Sequence, residues 1–114
     1  MSEFNFHLKK FVLVKNSTNG TVNEETIFNY QQEGDLVTAD YSGGPIKYGK
    51  LIAILKWDEL NMLYQCLTTY NQLKAGKALA KITLTEAGKL KLLLNWEWLG
   101  ENHEKGQSEY IERS

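Results

Sequence analysis

Apolar and polar residues alternate along most of this chain with a period of two. The longest case is Leu90, Leu92, Leu94, Trp96 and Trp98, with Lys91, Asn95 and Glu97 among the intervening residues. Five apolar side chains at that spacing cannot share one face of a helix, but they line one face of a pleated strand. Residues 89–99 are therefore read as a strand. The same period groups Leu60, Met62, Tyr64 and Cys66, and then Ala78, Ala80, Ile82 and Leu84 opposite Lys77, Lys81 and Thr83. Upstream, Phe28 and Tyr30 share a face, as do Val37, Ala39 and Tyr41.

Turn signals separate these segments at short intervals. Asn19-Gly20, Glu33-Gly34-Asp35, Gly43-Gly44-Pro45, Trp57-Asp58-Glu59, Thr69-Tyr70-Asn71-Gln72 and Glu86-Ala87-Gly88 each punctuate the chain. Asn-Gly is the strongest short hairpin signal, and Gly and Pro are the strongest breakers. The spacing predicts strands over 10–15, 26–32, 36–42, 46–55, around 60–66, 73–85, 89–99 and 107–112. Gly49 predicts a bulge or bend in the fourth strand, and Gly76 an interruption in the sixth. Helix competes over 58–73 and 73–84, where good helix formers occur, but the alternation favours strands in both.

About eight strands joined by short turns describe an all-β, antiparallel, up-and-down meander. Left open, it would expose two edges that invite association. Closure into a small barrel removes them, giving a lipocalin- or calycin-like architecture. A bent half-barrel that dimerises through an edge is the other way to protect the sheet. The chain fits one domain, 1–114, with residues 1–9 as a loose N-terminal arm.

Composition narrows the function classes. Thirteen basic and fourteen acidic residues give a net charge of -1, without the clustered basic excess of a nucleic-acid or polybasic membrane surface. The apolar runs 11–14 and 51–55 fall far short of the roughly 20 residues of a membrane helix. A single cysteine, Cys66, excludes an internal disulfide and fits a cytoplasmic location. The first residues show no positive start followed by an apolar run, so no signal peptide is expected.

Candidate chemistry is sparse. Gly44-Pro45-Ile46-Lys47-Tyr48-Gly49-Lys50-Leu51 copies the spacing of a phosphate-binding loop. Leu51 stands where the motif needs Ser or Thr, and the segment opens a strand, not a helix. His7 and His103 lack partners at metal-ligand spacing, so neither a metal nor a cofactor is expected. Cys66 sits mid-strand among apolar residues and reads as a small core residue, which leaves no catalytic candidate. The aromatics carry more information. Tyr30, Tyr41, Tyr64, Trp96 and Trp98 fall on the apolar faces and are the candidate lining of a ligand cavity, where phenol and indole add polar handles. Gln31, Gln65, Asn95 and Glu97 then point to solvent. Trp57, in a turn, is read first as a cap over the end of the barrel and second as an anchor for a partner.

Several segments carry a resemblance: Phe11-Val12-Leu13-Val14-Lys15-Asn16-Ser17, Gln32-Glu33-Gly34-Asp35-Leu36-Val37, Tyr41-Ser42-Gly43-Gly44, Tyr64-Gln65-Cys66-Leu67-Thr68-Thr69, Asn95-Trp96-Glu97-Trp98-Leu99 and Ser108-Glu109-Tyr110. Together they resemble a family of small bacterial proteins often labelled N-acetylglutamate synthase. That resemblance implies acetyl transfer from acetyl-CoA to glutamate and supplies no catalytic residues. The residues themselves favour a non-catalytic module that binds a small, partly apolar molecule. A protein-interaction module using a sheet edge, or a homodimer, is the further alternative.

Overall fold

The computed structural model describes residues 4–17, 21–100 and 104–113. Eight strands follow one another: β1 (Lys10–Asn16), β2 (Ile27–Glu33), β3 (Leu36–Gly43), β4 (Ile46–Lys56), β5 (Glu59–Thr68), β6 (Leu73–Leu84), β7 (Leu90–Leu99) and β8 (Lys105–Arg113). Each pairs antiparallel with the next, and β8 returns to β1, closing the barrel. The expected meander and its closure both form. Closure pairs every strand on both sides, although Leu13–Asn16 of β1 have no partner in β2.

The alternation sets which side chains fill the interior. Val37, Ala39 and Tyr41 of β3, Leu51, Ala53 and Leu55 of β4, Leu60 and Met62 of β5, Ala78, Ala80 and Ile82 of β6, and Leu90 and Leu92 of β7 are all buried. Gln31, Gln65 and Asn95 face solvent as expected. Leu84, expected on the inner face, ends β6 exposed, because it lies beyond the covered part of the barrel. Gly49 is no bulge. It pairs regularly with Tyr41 and Cys66, and the irregularity falls between Ile46 and Tyr48. Gly76 likewise leaves β6 continuous. The phosphate-loop look-alike is a hairpin turn running into β4, so it opens no helix. The Asn19-Gly20 pair lies outside the described residues. The β1–β2 connection that contains it spans 17–26, longer than the tight hairpin the pair predicted.

The two ends of the barrel differ. At the end formed by the β2–β3, β4–β5 and β6–β7 turns, the N-terminal segment enters the structure. Phe6 has 0% exposure and packs against Phe11 at 5.7 Å and Tyr30 at 5.6 Å between ring centroids. The Phe6 N–H donates to Gln32 Oε1 at 2.8 Å, and the Leu8 N–H donates to the Tyr30 carbonyl at 2.9 Å. Residues 4–9 are thus a plug and not a loose arm, because three aromatic rings gain more by stacking there than the segment gains from freedom. Trp57 does not cap this end. Its indole is 71% exposed at the tip of the β4–β5 turn, where the backbone has φ 56°.

Closure at this end is stapled by Glu112. Its Oε1 accepts from the Leu90 N–H at 2.9 Å, and its Oε2 lies 3.3 Å from Lys9 Nζ. The Leu90 hydrogen bond, followed by the Lys9 charge, holds this carboxyl below its ordinary value of 4.5. A lowered folded-state pKa stabilises the fold above the unfolded-state pKa, and that contribution disappears as pH falls through the folded value. Glu112→Gln is therefore expected to lower stability by about 1 kcal/mol at neutral pH. The deficit should shrink steadily below the ordinary value of 4.5. Urea titrations of both proteins between neutral pH and pH ~3 measure it, and a pH-independent difference would reject the staple.

Candidate functional site

The opposite end carries the β1–β2, β3–β4, β5–β6 and β7–β8 connections, and the interior there is not filled. A cavity of about 50 Å³ remains, bordered by Asn16, Tyr41, Tyr64, Cys66, Trp96, Trp98 and Ser108 among others. That is room for about three to five waters.

Its walls are built by pairing aromatic residues with glycines. Tyr41 is the direct cross-strand partner of Gly49, Tyr64 of Gly76 and Trp96 of Gly106. In each pair the ring lies over the glycine, and a Cβ added there would overlap it. Directly opposed residues share one face of the sheet, so any larger residue would push the ring across the lumen. Further contacts tie the rings together. Phe28 stacks on Tyr41 at 4.4 Å, Tyr64 meets Trp98 edge-on at 5.3 Å, and Trp96 and Trp98 lie 6.0 Å apart.

One side of the cavity is a closed chain of hydrogen bonds. Trp96 Nε1 donates to Ser108 Oγ at 2.7 Å, the Ser108 hydroxyl donates to Asn16 Oδ1, and Asn16 Nδ2 donates to the Val22 carbonyl at 3.0 Å. These polar atoms therefore carry little cost of burial. The Tyr41 hydroxyl donates to the Gln65 carbonyl at 3.2 Å. Burial pushes the phenols of Tyr41, Tyr64 and Tyr110 well above their ordinary range, so all three are neutral donors. Burial also raises the Cys66 thiol, against the opposing pull of the Lys74 charge. Cys66 is buried, as expected of a small core residue.

Trp98, two residues beyond Trp96 along β7, also borders the cavity. Lys74 is the cross-strand partner of Cys66, which puts it on the inner face. Its Nζ donates to Thr21 Oγ1 at 2.9 Å and sits 4.3 Å from the centroid of the Trp98 ring. Trp98 Nε1 is buried and has no hydrogen-bond partner among the described residues.

Four of the five sequence candidates, Tyr41, Tyr64, Trp96 and Trp98, border this cavity. Tyr30 does not. It packs between Phe6 and Phe11 at the plugged end. Asn16, Ser108 and Lys74 were not foreseen. Lys74 was within reach, since it shares the even-numbered parity of Ala78, Ala80 and Ile82. Asn16 was not, because a shift in the β1–β8 register between Leu13 and Lys15 reverses the parity of β1. His7 accepts a hydrogen bond from the Gln32 N–H at 3.2 Å, and His103 lies outside the described residues.

The comparisons with known proteins bear on this arrangement. No curated protein and no solved structure matches the chain. Neither the barrel nor the family match supports the N-acetylglutamate synthase reading. The matching family model is described as avidin-like protein and covers residues 4–113. With a closed eight-stranded antiparallel barrel behind that match, the chain belongs to the avidin-like family.

Proposed function

We propose that this protein is a non-catalytic binding module that takes a small, partly apolar molecule into the open end of its barrel. The observation that carries the reading is the ring-walled cavity, bordered by the bonded Trp96, Ser108 and Asn16 and by Trp98, whose indole N–H has no partner among the described residues. Small-molecule sites combine apolar walls with a few placed polar groups in this way. Cavities for drug-sized ligands usually run from about 300 Å³ upward. Either the half-buried Tyr64 and Trp98 rings swing outward on binding, or only part of the ligand enters. Membership of the avidin-like family makes biotin the first ligand to test.

Biotin titrated into the protein is expected to quench tryptophan fluorescence and to raise the unfolding free energy by about 2.7 kcal/mol at a hundredfold excess over Kd. Calorimetry gives the Kd. If neither biotin nor any member of a small-ligand library changes fluorescence or stability, the module reading fails.

A homodimer is the second reading, and it rests on the outer surface. Ile52 and Ile54 of β4, Leu63 of β5 and Leu79 of β6 form a contiguous outward face, with Ile52 directly opposite Leu63. Ile52 is 58% and Leu63 62% exposed. Lys77, Lys105, Asp35 and Glu97 lie around the same groove. A two-fold contact makes one patch its own partner, and both signs of charge at the rim allow unlike pairs across it. Leu63→Lys should then reduce the mass measured by light scattering to that of the 13.1 kDa chain, without loss of the barrel's circular dichroism. A monomeric wild-type protein at the same concentration removes this reading.

A further inference from the structure

The plug at the closed end is held by a contact that strand pairing does not supply. Along the edge of β2 that faces β1, the Tyr30 N–H donates to the Lys9 carbonyl at 2.8 Å, and the Tyr30 carbonyl accepts from the Leu8 N–H at 2.9 Å. A strand that ran on would next offer a backbone carbonyl to the Gln32 N–H. The chain turns away instead. The Lys9 N–H closes a four-residue turn on the Phe6 carbonyl at 3.1 Å, and the Gln32 N–H donates to His7 Nδ1 at 3.2 Å. An imidazole nitrogen thus stands where the ladder needs a carbonyl. Beyond it, the Gln32 side chain takes the Phe6 N–H at 2.8 Å.

Two features make this hold conditional. The turn puts Leu8, its third residue, at φ 61°, a conformation that such turns normally give to Gly or Asn. The Leu8 side chain is 75% exposed, so little packing offsets the strain. The second feature is the imidazole. A neutral ring accepts at one nitrogen, whereas a protonated ring donates at both. Protonated His7 would set one N–H against another at Gln32. Histidine is the side chain that ordinarily changes charge between pH 5 and 8. The charged residues that the adjoining elements bring to this end are Lys9, Lys10 of β1, Glu33 of β2, Asp35 of the β2–β3 turn, and Glu112 and Arg113 of β8. Lys9 is engaged by Glu112 at 3.3 Å.

We propose that residues 4–9 are a proton-sensitive strap over the closed end of the barrel. With His7 neutral, the Gln32 bond holds the plug in place. On acidification that bond is lost, and the segment swings out about Leu8, uncovering the aromatic socket of Phe11 and Tyr30 that Phe6 fills. The sign follows from linkage. The closed form needs His7 Nδ1 without a proton, so opening takes up a proton and is favoured as pH falls. The Lys9–Glu112 pair anchors the chain on the barrel side of the hinge, and Phe6 is the part that leaves. Such an opening is local, since the hydrogen bonds involved lie at the end of the sheet. The strap lies at the end away from the cavity, so the proposal holds whether or not the cavity takes a ligand.

Amide hydrogen exchange on the full chain tests it, corrected for intrinsic rates and followed from about pH 8 down to about pH 5.5, across the histidine range. The Leu8 and Gln32 amides report the strap, and the Leu63 amide in the middle of β5 reports the barrel. Wild-type protection at Leu8 and Gln32 is expected to fall about tenfold across that range, as for one hydrogen bond left without its acceptor, while Leu63 is unchanged. His7→Asn keeps an acceptor oxygen in place of Nδ1 and takes up no proton, so its strap protection should not depend on pH. Leu8→Gly relieves the turn and should raise protection at Gln32 about fivefold at the alkaline end, with the pH dependence kept. Equal pH dependence in wild type and His7→Asn overturns the proposal. So does strap protection that stays constant in wild type, or a loss that Leu63 shares.

Discussion

The interior of an eight-stranded barrel is barely wider than the side chains that line it, and everything distinctive about this molecule follows from how it uses that width. Three inward residues are glycines, and each stands directly opposite a large aromatic: Tyr41 with Gly49, Tyr64 with Gly76, and Trp96 with Gly106. Because the rings occupy the space that side chains at 49, 76 and 106 would take, they lie against the wall and do not meet in the middle. The cavity is the space that this leaves. Backbone entropy is the penalty, since glycine in a strand gives up more freedom than other residues, and the rings offset it by covering the bare backbone.

The same width is treated in the opposite way at the far end. There Phe6 folds back from outside the barrel and joins Phe11 and Tyr30, while Glu112 ties β7, β8 and the start of β1 together. Plugging one end confines the remaining space to the other, beside the β1–β2, β3–β4, β5–β6 and β7–β8 connections. This division explains why two tyrosines of equal promise, Tyr30 and Tyr41, have different surroundings. One is a plug residue and the other borders the cavity.

Much of this was legible in the sequence. Turn signals and period-two alternation located all eight strands, the alternation gave the inner faces of β2, β3, β5, β6 and β7, and the edge problem of an open meander argued for closure. Four of the five candidate lining residues followed from parity alone. What escaped has a physical reason in each case. Parity does not give height along the barrel, so Tyr30 could not be told from Tyr41. A shift in strand register reverses parity, so Asn16 could not be seen facing Ser108. Gly49 and Gly76 resembled strand defects because the aromatic that covers each lies on another strand. Phe6 sits outside any periodic segment, and only its contacts reveal it.

The central claim is that ring and glycine are a unit, and a double-mutant cycle tests it directly. Tyr41 and Gly49 are the cleanest pair, since the three nearest atoms to a Cβ at 49 all belong to the Tyr41 ring. Stability is measured by urea unfolding for wild type, Gly49→Ala, Tyr41→Leu and the double variant. The account predicts that Gly49→Ala is costly in the presence of Tyr41 and much less so in the Tyr41→Leu background, with a coupling of about 1 kcal/mol or more. Additivity within about 0.5 kcal/mol would contradict it.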